Sequence, residues 1–122
     1  MSHIVTIKTE VRDLAAITAA CRRLAIDAPI EGTAQLYSGP MSGLLVRLPD
    51  WLYPVVIDTA SGSVRYDNYG GAWGDEKHLH RFLQMYAVER ARAEARKKNY
   101  VTTEQSLADG SILVEIEIGG QS

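Results

Sequence analysis

The chain has 122 residues, a formal net charge of −2 and 46% apolar residues, which fits one globular domain over 1–122 and excludes a wholly disordered chain. That charge gives no global pull toward nucleic acid or anionic membranes, and the longest apolar runs fall far short of the ~20 residues a membrane helix needs. The one cysteine, Cys21, cannot form an internal disulfide, and residues 1–6 lack the basic and apolar regions of a signal peptide, so the expected location is cytoplasmic.

Residues 4–11 alternate as a strand, with Val5, Ile7, Thr9 and Val11 on one face. Asp13 is placed to cap a helix in which Leu14, Ile17, Cys21 and Leu24 make an apolar stripe. Cys21 there reads as a small core residue. Pro29 and Gly32 mark a loop. Three short strands follow. Leu44, Val46 and Leu48 alternate, then Tyr53, Val55 and Ile57, then Val64 and Tyr66 beyond a turn at 59–62. A short extra strand near 35–37 stays open. Pro49 and Pro54 bracket a break at 50–52, since proline is excluded from central strands.

Residues 68–74, Asn-Tyr-Gly-Gly-Ala-Trp-Gly, form a loop. A long helix spans 75–98, with Arg96, Lys97 and Lys98 at the negative pole of its dipole and Asn99 as its stop. A final hairpin joins 101–107 to 111–118 through a two-residue Asp109-Gly110 turn with φ > 0 at both positions. Ile112, Val114, Ile116 and Ile118 face a core, while Glu115 and Glu117 face water. The expected fold is α+β, a mostly antiparallel sheet with two helices packed on one face, in the order β-α-β-β-β-α-β-β.

Two groups of motifs carry a family resemblance. The first is Met1-Ser2-His3-Ile4, Ile7-Lys8-Thr9 and Val11-Arg12-Asp13-Leu14. The second is Phe82-Leu83-Gln84-Met85-Tyr86-Ala87, Ala95-Arg96, Tyr100-Val101 and Asp109-Gly110-Ser111-Ile112. Together they resemble the hypothetical chloroplast reading frame thirty-five family, small proteins of algal plastids, cyanobacteria and other bacteria. The resemblance spans nearly the whole chain and departs from the family pattern at 51–58. It implies a small soluble protein with protein partners, an AAA-type ATPase among them. It supplies no catalytic residue.

Motifs for chemistry are sparse. His78 and His80 lie two apart on a helix, about 200° around its axis, and cannot grip one ion; His3 is remote in sequence. No metal or cofactor site is expected. The glycine loop precedes a helix but lacks the Gly-Lys-Ser/Thr of a phosphate loop. No Gly-x-Ser-x-Gly elbow is present, and the pairs Asp50/Asp58 and Asp67/Asp75 read as surface carboxylates. An enzyme is therefore not the leading expectation.

Two regions stand out. Residues 75–100 hold seven bases against four acids, a local +3 in a chain whose remainder is −5. At 100° per residue Leu79, Phe82, Leu83, Tyr86 and Ala93 share the core side. The opposite side carries Arg81, Met85, Val88, Arg92 and Arg96. Basic and apolar residues interleaved on an outer helix face suggest a partner-binding surface. A solvated face with two scattered apolar residues is the competing reading. RNA binding at the basic helix end is a weaker one, and would show steep salt dependence. Arg90, on the core side, needs an acid, with Glu94 the local choice and Glu115 or Glu117 the distant ones. The second region is aromatic. Tyr66, Asp67, Asn68, Tyr69 and Trp73 could wall a small-molecule pocket, although core packing and a Trp73 anchor explain the same residues. The expected function is thus an interaction or adaptor module, with a small-molecule binder or minor enzyme at 66–74 as the alternative.

Overall fold

The computed structural model describes residues 5–8, as backbone, and 10–118. It contains β1 (Val5–Lys8), α1 (Leu14–Arg23), β2 (Ile30–Leu36), β3 (Gly39–Val46), β4 (Val55–Asp58), β5 (Ser63–Tyr66), α2 (Glu76–Lys97), β6 (Val101–Ser106) and β7 (Ile112–Glu117). The first five strands form an antiparallel sheet in the order β1-β5-β4-β3-β2, and β6 and β7 form a separate two-stranded sheet. This is the expected α+β class and approximate order, with one strand more. Ile4 and Thr9 of the expected first strand lie outside the described residues, as does His3.

The open strand near 35–37 is part of the seven-residue β2, and Gly32 sits inside it opposite Gly43 rather than in a loop. Tertiary pairing with β3 overrides the poor strand propensity of Glu31 and Gly32. Leu44 and Val46 of β3 stand opposite Ile57 and Val55 of β4, and Ile57 stands opposite Val64 of β5. These side chains form one sheet face, which packs with Ala16, Ile17, Ala20 and Cys21 of α1 and Leu79, Phe82 and Tyr86 of α2. On the other face Val56 packs with Ala34 and Leu36, backed by Met41, Leu45 and Tyr53. Both helices therefore lie on one face, as alternation requires. In α1 the buried stripe is carried by Ala16 and Ala20 beside Ile17 and Cys21, and Leu14 is 55% exposed. Burial pushes the Cys21 thiol up to about 11, so its reactive thiolate is suppressed.

Both helices begin as the sequence predicts. Asp13 accepts a hydrogen bond from Ala16 N at 3.2 Å, and Asp75 accepts one from Lys77 N at 2.9 Å. Both end in paired main-chain bonds. Ala25 N donates to Arg22 O and Ile26 N to Cys21 O, each at 3.1 Å; Asn99 N donates to Arg96 O at 3.1 Å and Tyr100 N to Ala95 O at 2.8 Å. No helix among the described residues is long and apolar enough to cross a membrane.

The last hairpin differs in its turn. Gly110 N donates to Leu107 O at 3.0 Å and Leu107 N to Ser111 O at 2.9 Å, which closes a three-residue loop. Only Gly110 has positive φ, at 89°, the arrangement of a type I turn followed by a left-handed residue. Asp109 keeps an ordinary φ because its carboxylate accepts from Ser111 N at 3.0 Å.

Candidate functional site

The outer face of α2 is covered in part. The β6–β7 hairpin folds back along it. Gln84 Nε2 donates to Gly110 O at 3.3 Å near the turn, and Arg92 meets Glu104 at 3.0 Å further along. Val88 lies between these points and is only 5% exposed. Met85 is half-buried and packs against the main core. The expected partner face of Arg81, Met85, Val88, Arg92 and Arg96 is thus divided: Arg81 and Arg96 are exposed, Arg92 is in an ion cluster, and Val88 and Met85 are in the fold. A helical wheel assumes one buried side, whereas α2 has two, one toward the sheet and one toward its own hairpin.

The ion cluster joins three elements. Arg23, at the end of α1, makes two bonds to Glu104 of β6, at 2.8 and 2.9 Å, and one to Glu89 of α2 at 2.8 Å. The two-pronged contact to Arg23, with Arg92 beside it, holds the Glu104 carboxyl below its ordinary 4.5, and it keeps the Arg23 guanidinium charged. Arg90 bonds Asp13 at 3.2 Å and Glu94 at 3.4 Å, so the local partner is right and the second comes from the α1 cap rather than Glu115 or Glu117. Lys97 also pairs with Glu94, at 3.6 Å, and Lys77 with Asp75, at 3.9 Å. Four of the seven bases in 75–100 thus face carboxylates among the described residues.

Glu104→Gln is expected to cost about 1–2 kcal/mol near neutral pH, since one acceptor remains but the charge on it is lost. The folded carboxyl titrates low, so its contribution is complete above about pH 4.5 and fades as pH falls through the folded value. Urea midpoints of the two proteins should differ at pH 7 and converge in strong acid. An equal difference at both pH values would remove Glu104 from the account.

The hairpin leaves apolar surface open. Thr102, Glu104 and Ser106 stand opposite Ile116, Val114 and Ile112, and this face is turned to α2. Ile112 and Val114 are half-buried, but Ile116 is 46% and Ile118 61% exposed. The expected covered face therefore holds only near the turn. At the other end a groove of about 340 Å³ is lined by Ala91, Ala95, Tyr100, Ile116 and Ile118, with Glu94 and Lys98 as its charged members. Among the described residues, five of the ten exposed large apolar ones, Val101, Leu107, Leu113, Ile116 and Ile118, belong to this last stretch.

The aromatic side chains pack ring against ring. Trp73 sits among Tyr69, stacked at 4.7 Å, Tyr37 at 5.5 Å and Tyr53 at 5.7 Å. It is half-exposed, and the tryptophan seated against the main core is Trp51, edge-on to Tyr66 at 5.5 Å. Tyr66, Asp67 and Asn68 are buried, and burial, with the charge of Glu76 adding to it, raises the Tyr66 phenol. Asn68 organises the loop. Its side chain donates to Gly74 O at 3.1 Å, and its carbonyl accepts from Gly71 N at 3.0 Å and Trp73 N at 2.9 Å. Asp67 Oδ1 accepts from Tyr69 N at 3.3 Å, while its buried Oδ2 has no hydrogen-bond partner. The groove above and three other cavities among the described residues are lined by no residue of 66–74.

The remaining carboxylates named above are structural. Asp58 closes the β4–β5 turn by accepting from Ala60 N at 3.0 Å, Asp75 caps α2, and Asp50 sits exposed in a turn. His78 shares a small cavity with Arg81 and Leu48, and His80 is exposed. Among the described residues no group of three or more His, Cys, Asp or Glu side chains is arranged to hold a metal ion. Comparison with protein-family models, with curated proteins and with solved structures found no match in any of the three.

Proposed function

We propose that this chain is a protein-interaction module that receives its partner on the β6–β7 hairpin and the adjoining end of α2. One observation carries the reading: five exposed apolar side chains belong to this hairpin, and two of them, Ile116 and Ile118, line a groove that is mainly apolar. Exposed apolar surface in one patch costs solubility, and a partner that covers it recovers the free energy of burial. The surface differs from the helix face that the sequence suggested, because the hairpin occupies part of that face.

The test compares the wild type with Ile116→Lys and Ile118→Lys for retention of purified candidate proteins. The AAA-type ATPase that the resemblance brings in is one of them, and a second copy of the chain is another. Both isoleucines are exposed, so the variants should fold with little change in melting temperature while retention falls. Retention that survives both changes sinks the reading.

A second reading, a small-molecule binder at 66–74, draws on the unpartnered Asp67 Oδ2 beside the aromatic group. A buried carboxylate oxygen without a donor is costly, and a ligand N–H or O–H would relieve it. Thermal-shift screening of small hydrogen-bond donors should then find a stabiliser whose effect vanishes in Asp67→Asn. No stabiliser, or one indifferent to that change, counts against it.

A further inference from the structure

We propose that the partner of the hairpin surface is a second copy of this chain, joined by antiparallel edge-to-edge pairing of β7 with β7 about a two-fold axis at Val114. This rests on the interaction-module reading and names its partner.

The strand has a free edge in the right place. β7 has one neighbour, β6, so its other edge presents main-chain N–H and C=O groups without strand partners among the described residues. β6 is the strand turned toward α1, because Glu104 reaches Arg23 at 2.8 Å. β7 is therefore the outer strand, beside the apolar groove. A two-stranded sheet is marginal by itself, and a four-stranded one over a helix layer is not.

The register follows from the side chains. A two-fold axis through the sheet keeps each residue on its own face and places α2 of both copies over the same side. With Val114 on the axis, Ile116 of each copy stands opposite Ile112 of the other, and Val114 opposite its own copy. Apolar residues then meet apolar residues on the helix side, where Ile116 is otherwise 46% exposed. On the far side Glu115 stands opposite Leu113, and Glu117 opposite Ser111. No carboxylate faces a carboxylate. Moving the axis to Glu115 sets two glutamates against each other, and moving it to Leu113 leaves only three strand residues paired. A strand that docks here must bring apolar residues to one face and non-acidic ones opposite Glu115 and Glu117 on the other. β7 meets both conditions itself.

Light scattering and sedimentation across a dilution series of the full chain test this. The wild type should be a dimer that dissociates on dilution. Leu113→Glu, exposed and away from α2, places carboxylates opposite Glu115 on both sides of the axis and should weaken the dimer roughly tenfold. Adding Glu115→Lys to it turns both contacts into opposite-charge pairs and should restore the dimer. Melting curves confirm that each variant folds. A wild type that is monomeric throughout, a Leu113→Glu variant as tight as wild type, or a double variant that fails to recover each overturns the proposal. If the chain is monomeric but Ile116→Lys still abolishes retention of another protein, self-pairing falls and the interaction module stands. If Ile116→Lys affects neither, both fall.

Discussion

Gly74→Ala should destabilise the protein by about 3 kcal/mol, the upper end of what overpacking costs. A Cβ at this position would lie 2.6 Å from Cγ and Cε2 of Trp51, and closer still to Cδ2. The indole has nowhere to go. Its Nε1 donates to Asp75 O at 3.0 Å, its edge meets Tyr66, and its body packs on the main core. The main chain at Gly74 is fixed as well, since its carbonyl accepts the Asn68 side chain. No positive φ is recorded at Gly74, so alanine fails there through the ring alone. The check is a double-mutant cycle by urea unfolding. Trp51→Leu should cost clearly less in the Gly74→Ala background than in the wild type, because the clash is relieved. Additive costs, or a Gly74→Ala loss under 1 kcal/mol, would refute this.

Tyr86→Phe should cost about 2 kcal/mol with the packing preserved. The ring is buried at 7% exposure, and its hydroxyl serves three backbone groups ahead of α1. It accepts from Arg12 N and Asp13 N, each at 3.1 Å, and donates to Glu10 O at 3.1 Å. Removing one oxygen strands Asp13 N and leaves Arg12 N and Glu10 O only their 3.0 Å bond to each other, in a partly buried place where water replaces only some of the loss. Amide exchange at Arg12 and Asp13 should quicken more than at α2. Uniform acceleration over the whole chain would mean that the hydroxyl has no local role.

Much of the fold was legible because local chemistry and tertiary structure agree. Asp13 and Asp75 are short acceptors at the heads of apolar-periodic segments, and both cap helices. Alternation at 44–48, 55–57 and 64–66 matches the helix-side face, but Tyr53, expected to share that face with Val55 and Ile57, precedes β4 and packs on the other face with Val56, because Pro54 breaks the alternation. β2 was hidden because Glu31-Gly32-Thr33 has neither the alternation nor the propensity of a strand; its pairing with β3 is what makes it one. The site was less legible. Val88 and Met85 stand out in the sequence as odd on a polar helix side. What the helix period could not supply was the cover, since a hairpin from the same chain and a foreign partner leave the same pattern in α2. The core seat belongs to Trp51 rather than to the expected anchor Trp73 for a similar reason: both flank glycine-rich or proline-broken loops, and only the space left by Gly74 seats Trp51.

The strand order has a consequence for how the protein is made. β1 pairs with β5 at the edge of the large sheet, joining Lys8 to Ser63 and Val5 to Tyr66. At ~5–20 residues per second, synthesis leaves β1 without its partner strand for several seconds. β2 to β5 can zip in the order they emerge, each onto its predecessor. α1 must also wait, for its neighbour α2 follows the whole meander. β1 is therefore secured only after the four strands that follow it, and a pause in translation between residues 8 and 66 would prolong the time it spends without its partner strand.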